Sequence, residues 1–519
     1  MRLPFLIGLV VLSTVAVAAA DVRLPYVFTH HMVLQRDQPA PVWGKAAPEE
    51  KVTVRFGDQT HQATADESGA WRVTLDPLSL GEPRELVVEG SQSDAPVVVR
   101  DVAVGDVWIC SGQSNMQWSL ENAKDGKLEL LAAKRPNLRL LLVEQMGAQE
   151  PLDDIDGAWR VSTPKTAKSF SAVGYFFGVQ LQQTLDAPIG LIGNAWGGSS
   201  CEAWVPLAEL REKPLYEPLL ERWAETESKI DEASLRAEYA TKLADFYERR
   251  AAAYAAGNPL PQRPSMDNLL FNQHRPANLY NARVLPLTPF TIKGVIWYQG
   301  ETNAGRAYQY RDLFPRMITS WRAAWGQGDF PFYWVQLADF QKETAGPVEG
   351  SDWAELREAQ TMAAESLANA GQAVIIDIGE ANDIHPRNKR DVGLRLARLA
   401  LGETYGLPIK AQSPRYESLA VEDGKATVTI ADVGAGLKTF DGVEPRGFTV
   451  AGEDRVFHAA TAEIKEGKRV VLTSPNVPQP VAVRYGWANN PVVNVFDSAG
   501  LPLTPFRTDD WPGVTAKAR

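Results

Sequence analysis

The chain has 519 residues, 45% hydrophobic and 23% charged, a globular composition with more length than one ordinary core fills, so two or three domains are expected. A formal net charge of −11, with no segment that concentrates Lys and Arg, excludes a nucleic-acid surface, because neutralising phosphates requires a basic patch. Two cysteines, Cys110 and Cys201, are too few for a disulfide-built scaffold, and the sequence leaves both a single bridge and two buried thiols open.

Residues 1–20, MRLPFLIGLVVLSTVAVAAA, place Arg2 before an apolar run that ends in small residues, with Ala18 and Ala20 suited to cleavage before Asp21. A signal peptide is expected, since the run falls short of the ~20 apolar residues of a spanning helix. No later segment reads as a membrane span. The mature protein is then expected to be periplasmic or secreted and free of the membrane.

From residue 21 to about 104 the pattern is short and β-like: KVTVRF, AWRVTL, RELVVEG and APVVVRDV are separated by Gly, Pro, Asp and Ser, which predicts a small N-terminal sandwich-like domain. From 105 to 407 apolar strands alternate with helices. DVWIC, NLRLLLV, PIGLIGNAW, IKGVIWY, FPFYWVQL and AVIIDIG read as buried strands, whereas AVGYFFGVQLQQTL, WAELREAQTMAAESLA and KRDVGLRLARLALGETY have helical spacing. That alternation predicts an α/β fold, a parallel sheet with helices on both faces. A charged stretch at about 206–263, including LRAEYATKLADFYERRAAAYAA, interrupts it as a mostly helical insertion. Residues 408–519 return to short strands, KATVTIADV, GFTVAG, KRVVLTS and PVAVRYGW, and predict a C-terminal β domain.

The segment DVWICSGQSNMQWSL runs a buried strand into Ser-Gly-Gln-Ser-Asn at Ser114. Ligands of open α/β sheets lie beyond the carboxyl ends of strands, so this turn points into the expected site. Ser114 reads equally as a nucleophile or as the cap of a following helix. A serine nucleophile needs a base, and six histidines are available. His30, His31, His61 and His458 lie in the β-rich flanks and His274 follows the insertion. His385 alone sits between a late sheet strand and a helix, although a structural loop histidine fits the same place. Gly198, in Asn194-Ala-Trp-Gly-Gly-Ser-Ser after the strand PIGLI, offers either an exposed backbone N–H or only a Gly-Gly turn.

Gly112-Gln113-Ser114-Asn115 after a strand resembles the first block of the SGNH hydrolase superfamily. The ordered set WICSGQSNMQWSL, GNAWGGSSCEAW, LYNARVLPLTPFTIKGVIWYQGETNA, DWAELREAQ, DIHPRNKRDVG and RYGWANNPVVNVFDSAGLPLTPFRTD resembles the bacterial sialate O-acetylesterases and related acetyl-polysaccharide esterases. The resemblance implies an SGNH-type sheet flanked by N- and C-terminal β-sandwich-like domains. It implies Ser114 as nucleophile and His385 as base. Such hydrolases carry the carboxylate three residues before the histidine, where this chain has Asn382. Asp383, two residues before, is the expected orienter, with a backbone carbonyl near Asn382 or Asp377 as alternatives.

The same resemblance implies oxyanion donors from Ser114 N–H, Gly198 N–H and the Gln299 side chain, with Asn303 in reserve. Trp118, Trp196, Glu202, Trp204, Tyr298, Asn303 and Arg387 are the candidate substrate-binding residues, and Glu301 is expected to be structural. Neither metal-ligand spacing nor a phosphate-cradling loop is present, so a cofactor-free hydrolysis is expected. The implied partner is an acetylated carbohydrate, either an O-acetylated sialic acid, which would call for a cation such as Arg387 or Arg275, or a plant glycan such as xyloglucan or xylan. The rival readings are a non-catalytic glycan-binding protein and a lipase or peptidase on the same Ser-His pair.

Overall fold

One strand, β1 (Val97–Gly112), organises the molecule, and every residue from Val102 to Gly112 is buried. A strand covered on both faces needs a nearly continuous apolar run, which VAVGDVWIC supplies. The computed structural model describes residues 21–256, 261, 264 and 271–518. The expected signal peptide lies outside the described residues, as does part of the end of the insertion.

The first half of β1 pairs antiparallel with Arg84–Gly90 and parallel with Val33–Gln35. Its second half runs between β4 (Ile189–Ala195) and β5 (Gly294–Tyr298), parallel to both. With β2 (Arg135–Leu142), β3 (Trp159–Ser162), β6 (Phe332–Val335) and β7 (Ala370–Ala373), the central order is β7-β6-β5-β1-β4-β2-β3. These strands are parallel apart from β3, which is antiparallel to β2.

Helices cover both faces. On the side of Trp108 and Cys110, α2 (Ala172–Leu185) places Phe177 against Trp108 at 5.1 Å between ring centroids. A Cβ at Gly174 of α2 would come within 2.8 Å of Cys110 Sγ, so that glycine lets helix and sheet approach. The helix α6 (Lys389–Leu399) packs beside α2, where a Cβ on Gly393 would meet the Val173 carbonyl at 2.7 Å. On the other face α4 (Ala307–Trp325) sets Phe314 against Trp297 and Trp334, and α5 (Asp352–Ser366) packs along α4.

One continuous core joins the N-terminal strands to this α/β unit, because β1 passes through both. Residues 415–507 close a second core between two four-stranded sheets. Buried Arg357 of α5 ties the two together, donating to the carbonyls of Leu337, Ala338, Ala488 and Asn489. In the insertion, α3 (Glu232–Ala255) carries i,i+4 ion pairs on its exposed side. It docks through buried Arg250, which pairs with Asp156 and lies 3.7 Å from the centre of the Tyr26 ring.

One expectation needs correction, and one open alternative is decided. The strand read into AVIIDIG stops at Ala373, because Arg395 takes the Val374 carbonyl and the Asp377 carboxylate, and Asp339 accepts the Gly379 N–H. Cys110 and Cys201 are both buried free thiols, and burial raises the pKa of each.

Candidate active site

Parallel pairing brings the carboxyl ends of β1, β4 and β5 side by side, with Gly112 opposite Ala195 and Tyr298. Gly112 has φ +130°, and a Cβ there would lie 2.1 Å from the Tyr298 carbonyl oxygen, so only glycine fits. Gln113 donates its N–H to the same carbonyl at 2.9 Å, and the chain turns into a single helical turn, α1 (Ser114–Gln117). Gln113 is the N-cap of α1 and Ser114 its first helical residue. Ser114 is thus not a cap, and its N–H at the first helical position has no acceptor within the helix.

Ser114 Oγ lies 2.8 Å from Nε2 of His385, 271 residues away in sequence. The histidine sits in the loop before α6 with 30% of its side chain exposed. Its backbone N–H donates to Asp383 Oδ1 at 2.8 Å, whereas Nδ1 stands 3.6 Å from that oxygen, outside hydrogen-bond range. Asp383 therefore fixes the loop backbone first and faces the imidazole only as a nearby charge. Asp377 is engaged by Arg395 on the sheet side. Trp118 stacks on the imidazole, centroids 5.1 Å apart. The His385 pKa is lowered by burial and by the ammonium of Lys389, against the opposing effect of Asp383.

Behind the pair lies a buried polar cluster. Asn115 Nδ2 donates to Glu301 Oε1 and to the Ile384 carbonyl, and Asn115 Oδ1 accepts from Lys389 Nζ. Burial pushes Lys389 down to about 7 and raises Glu301.

The turn after β4 supplies the other wall. Trp196 N–H donates to the Gly112 carbonyl at 3.0 Å, and Gly197 N–H to Gln117 Oε1 at 2.7 Å. A Cβ on Gly197 would lie 3.5 Å from Ser114 Cβ, so this turn abuts the serine. Gly198 has φ +73°, and its N–H meets no acceptor among the described residues.

Several expected roles change. Gln299 is fully buried, and both amide hydrogens are committed, to the Ser199 carbonyl at 3.1 Å and to Asn303 Oδ1 at 2.7 Å, while its oxygen accepts from Tyr310. It braces the Gly197–Ser199 turn and has no hydrogen left for an oxyanion. Buried Asn303 accepts from Cys201 N–H and donates to Glu202, which in turn pairs with Arg306. Glu202 and Asn303 thus form scaffold, not pocket lining. Trp204 and Tyr298 have no exposed surface: Trp204 packs on Trp297 and Trp321, and Tyr298 closes the end of β5, so both belong to the core. Trp118 and Trp196 remain partly exposed, and Arg387 stands 63% exposed beside Glu380. Arg275 is held by Glu227 and Asn278.

Sequence reasoning missed Gln117, Asn115, Lys389 and Gln273, whose Nε2 would lie 3.7 Å from a Cβ on Gly198. Helical spacing offered a signal for one of them: Gln117 is three residues after Ser114 on the same helical turn. Among the described residues, no cluster of three or more His, Cys, Asp or Glu side chains is placed to hold a metal ion.

The sequence profile of a family described as carbohydrate esterase, sialic acid-specific acetylesterase, matches residues 104–237 and 273–400. The sialate O-acetylesterase of Mus musculus is 29% identical over 447 residues, covering 79% of this chain and 79% of that protein. The Homo sapiens sialate O-acetylesterase is also 29% identical over 447 residues, covering 79% of this chain and 77% of that protein. The crystal structure of a carbohydrate acetylesterase from Xanthomonas citri superposes with a TM-score of 0.79 at 39% identity, covering 94% of this chain and 100% of that one. The chain belongs to the sialic acid-specific acetylesterase family of carbohydrate esterases, and it is an esterase.

Proposed function

We propose that this esterase removes O-acetyl groups from carbohydrate hydroxyls through an acyl-enzyme on Ser114, with His385 as general base. The observation that carries the reading is the 2.8 Å contact between Ser114 Oγ and His385 Nε2 at the carboxyl ends of parallel strands. A lowered His385 pKa keeps the imidazole neutral near pH 7, with Nε2 free to accept the serine proton.

His385 removes the Ser114 proton as Oγ attacks the acetyl carbonyl. The N–H groups of Ser114 and Gly198 receive the oxyanion, each donor of this kind being worth about 2.7–4 kcal/mol. The protonated His385 gives its proton to the departing sugar oxygen. Water, deprotonated by the same imidazole, then attacks the acetyl-serine and releases acetate. Trp118 and Trp196, partly exposed at the rim, offer aromatic faces to a sugar ring.

The same proposal places the enzyme outside the cytoplasm, in the periplasm or secreted, after cleavage before Asp21. N-terminal sequencing of the exported protein tests it: a mature chain starting at Asp21 supports export, and an intact Met1 terminus on a cytoplasmic protein contradicts it. Acetate release measured side by side on O-acetylated sialic acid and on acetylated xyloglucan or xylan tests the substrate class. Acetyl turnover on a carbohydrate supports the proposal. Turnover confined to long-chain esters or peptides would contradict it.

A further inference from the structure

Lys389 is a fully buried lysine on the first turn of α6, four residues after the catalytic histidine. A buried ammonium is costly unless anions and hydrogen bonds face it, and such sites recur where a neighbouring group must titrate at a chosen pH. Its Nζ donates to Asn115 Oδ1 and lies 5.8 Å from the Trp118 ring centre and 5.5 Å from that of Tyr298. Asn115 follows Ser114 directly, and its amide group also holds the carbonyl of Ile384, the residue before His385. A single side chain thus joins the nucleophile turn, the histidine loop, the start of α6 and Glu301 beyond β5.

We propose that Lys389 is a positioning residue for the esterase reaction, whose buried ammonium, held on Asn115 behind Ser114 and His385, keeps His385 in its neutral, proton-accepting form and locks the two loops in register. The inference rests on the Ser114–His385 reading of the site.

The titratable groups around the pair come from three elements. Tyr298 and Glu301 face it from the end of β5, Glu380 and Asp383 from the histidine loop, and Lys389 from α6, while α1 contributes only the neutral Asn115 and Trp118. Glu380 is itself covered by Arg387 at 3.6 Å. Acting on His385, Lys389 disfavours the imidazolium and Asp383 favours it. With its own pKa near 7, Lys389 is charged through the acid limb of the pH profile, where it matters, and loses its charge above that. The sign follows: with Lys389 cationic, His385 remains a base to lower pH, and removing that charge raises the pH at which activity appears.

The test compares kcat/KM against pH for hydrolysis of a chromogenic acetyl ester by the wild-type protein, Lys389→Met and Lys389→Arg, with Ser114→Ala and His385→Ala as references. Lys389→Met is expected to move the midpoint of the acid limb up by about half a unit or more, whereas Lys389→Arg keeps it near the wild-type position. A folded Lys389→Met with an unmoved acid limb overturns the inference, as does a Lys389→Arg that shifts as far as the Met variant; a merely structural lysine would lower activity at every pH alike. Should Lys389→Met not fold, the wild-type His385 imidazole resonance decides: a second inflection near pH 7 from the neighbouring lysine supports the coupling, and a single-step titration overturns it. Activity surviving in His385→Ala would instead refute the Ser-His reading beneath it.

Discussion

The indole of Trp118 lies over the imidazole of His385 with ring centroids 5.1 Å apart and planes 18° apart. The indole, at the C-cap of the turn that begins with Ser114, places the element carrying the proposed nucleophile against the ring of its proposed base. With Asp383 outside hydrogen-bond range of Nδ1, this stacking is a principal restraint on the ring.

Replacing Trp118 by Ala is therefore expected to lower kcat on a small acetyl ester by about ten-fold or more, since misorientation of a catalytic group carries penalties of that order. Trp118→Phe should keep most of the activity. Steady-state kinetics of the two variants check this, and an unchanged kcat in Trp118→Ala would show that the indole serves only the substrate.

For Asp383→Asn the geometry predicts a loss of about ten-fold or less, not the ~10⁴ seen where a buried aspartate holds the histidine through a direct hydrogen bond. The asparagine oxygen still accepts the His385 backbone N–H. Because Asp383 raises the His385 pKa, removing its charge moves the acid limb of kcat/KM to lower pH. In the wild-type enzyme that limb is expected below the ordinary imidazole value of about 6.5. A limb that rises in Asp383→Asn contradicts the assignment.

Gln299→Ala distinguishes a brace from an oxyanion donor. Three hydrogen bonds in a fully buried position are lost, so a destabilisation of at least about 1–3 kcal/mol in denaturant unfolding is expected. A variant of wild-type stability whose kcat alone collapses would mean that Gln299 reaches the reacting carbonyl.

Two glycines of the site answer differently to the same substitution. Gly112→Ala drives a Cβ to 2.1 Å from the backbone oxygen of Tyr298 and should cost about 3 kcal/mol or more, or prevent folding. Gly198→Ala has room, its nearest neighbour being Gln273 Nε2 at 3.7 Å, and bears only the left-handed backbone penalty of about 1–2 kcal/mol. Thermal unfolding of both variants checks the order.

Much of the fold was legible because its strands and helices differ sharply in period. KVTVRF, AWRVTL and RELVVEG match the strands Lys51–Phe56, Ala70–Leu75 and Arg84–Gly90, and AVGYFFGVQLQQTL matches α2. AVIIDIG failed because its end at the sheet edge is decided by Arg395 and Asp339, partners that no local pattern reveals. At the site, chemical type and position after strands made Ser114 and His385 candidates with structural alternatives open, and only the family resemblance selected them; the structure sets the two side chains 2.8 Å apart. Gln299 was misread for a related reason: an amide beside a nucleophile turn is equally suited to donate to substrate or to backbone, and only the positions of Ser199 and Asn303 decide which. The cluster of Asn115, Glu301 and Lys389 joins segments far apart in the chain, so its members carried no shared signal in the sequence.

The central claim is that Ser114 is the nucleophile and His385 its base. Labelling with a fluorophosphonate probe, followed by peptide mass mapping, tests it most directly. The account predicts one adduct per chain, on Ser114, loss of hydrolysis in proportion to labelling, and no labelling in folded Ser114→Ala or His385→Ala. An adduct on another residue, or full hydrolysis after Ser114 is occupied, would contradict it.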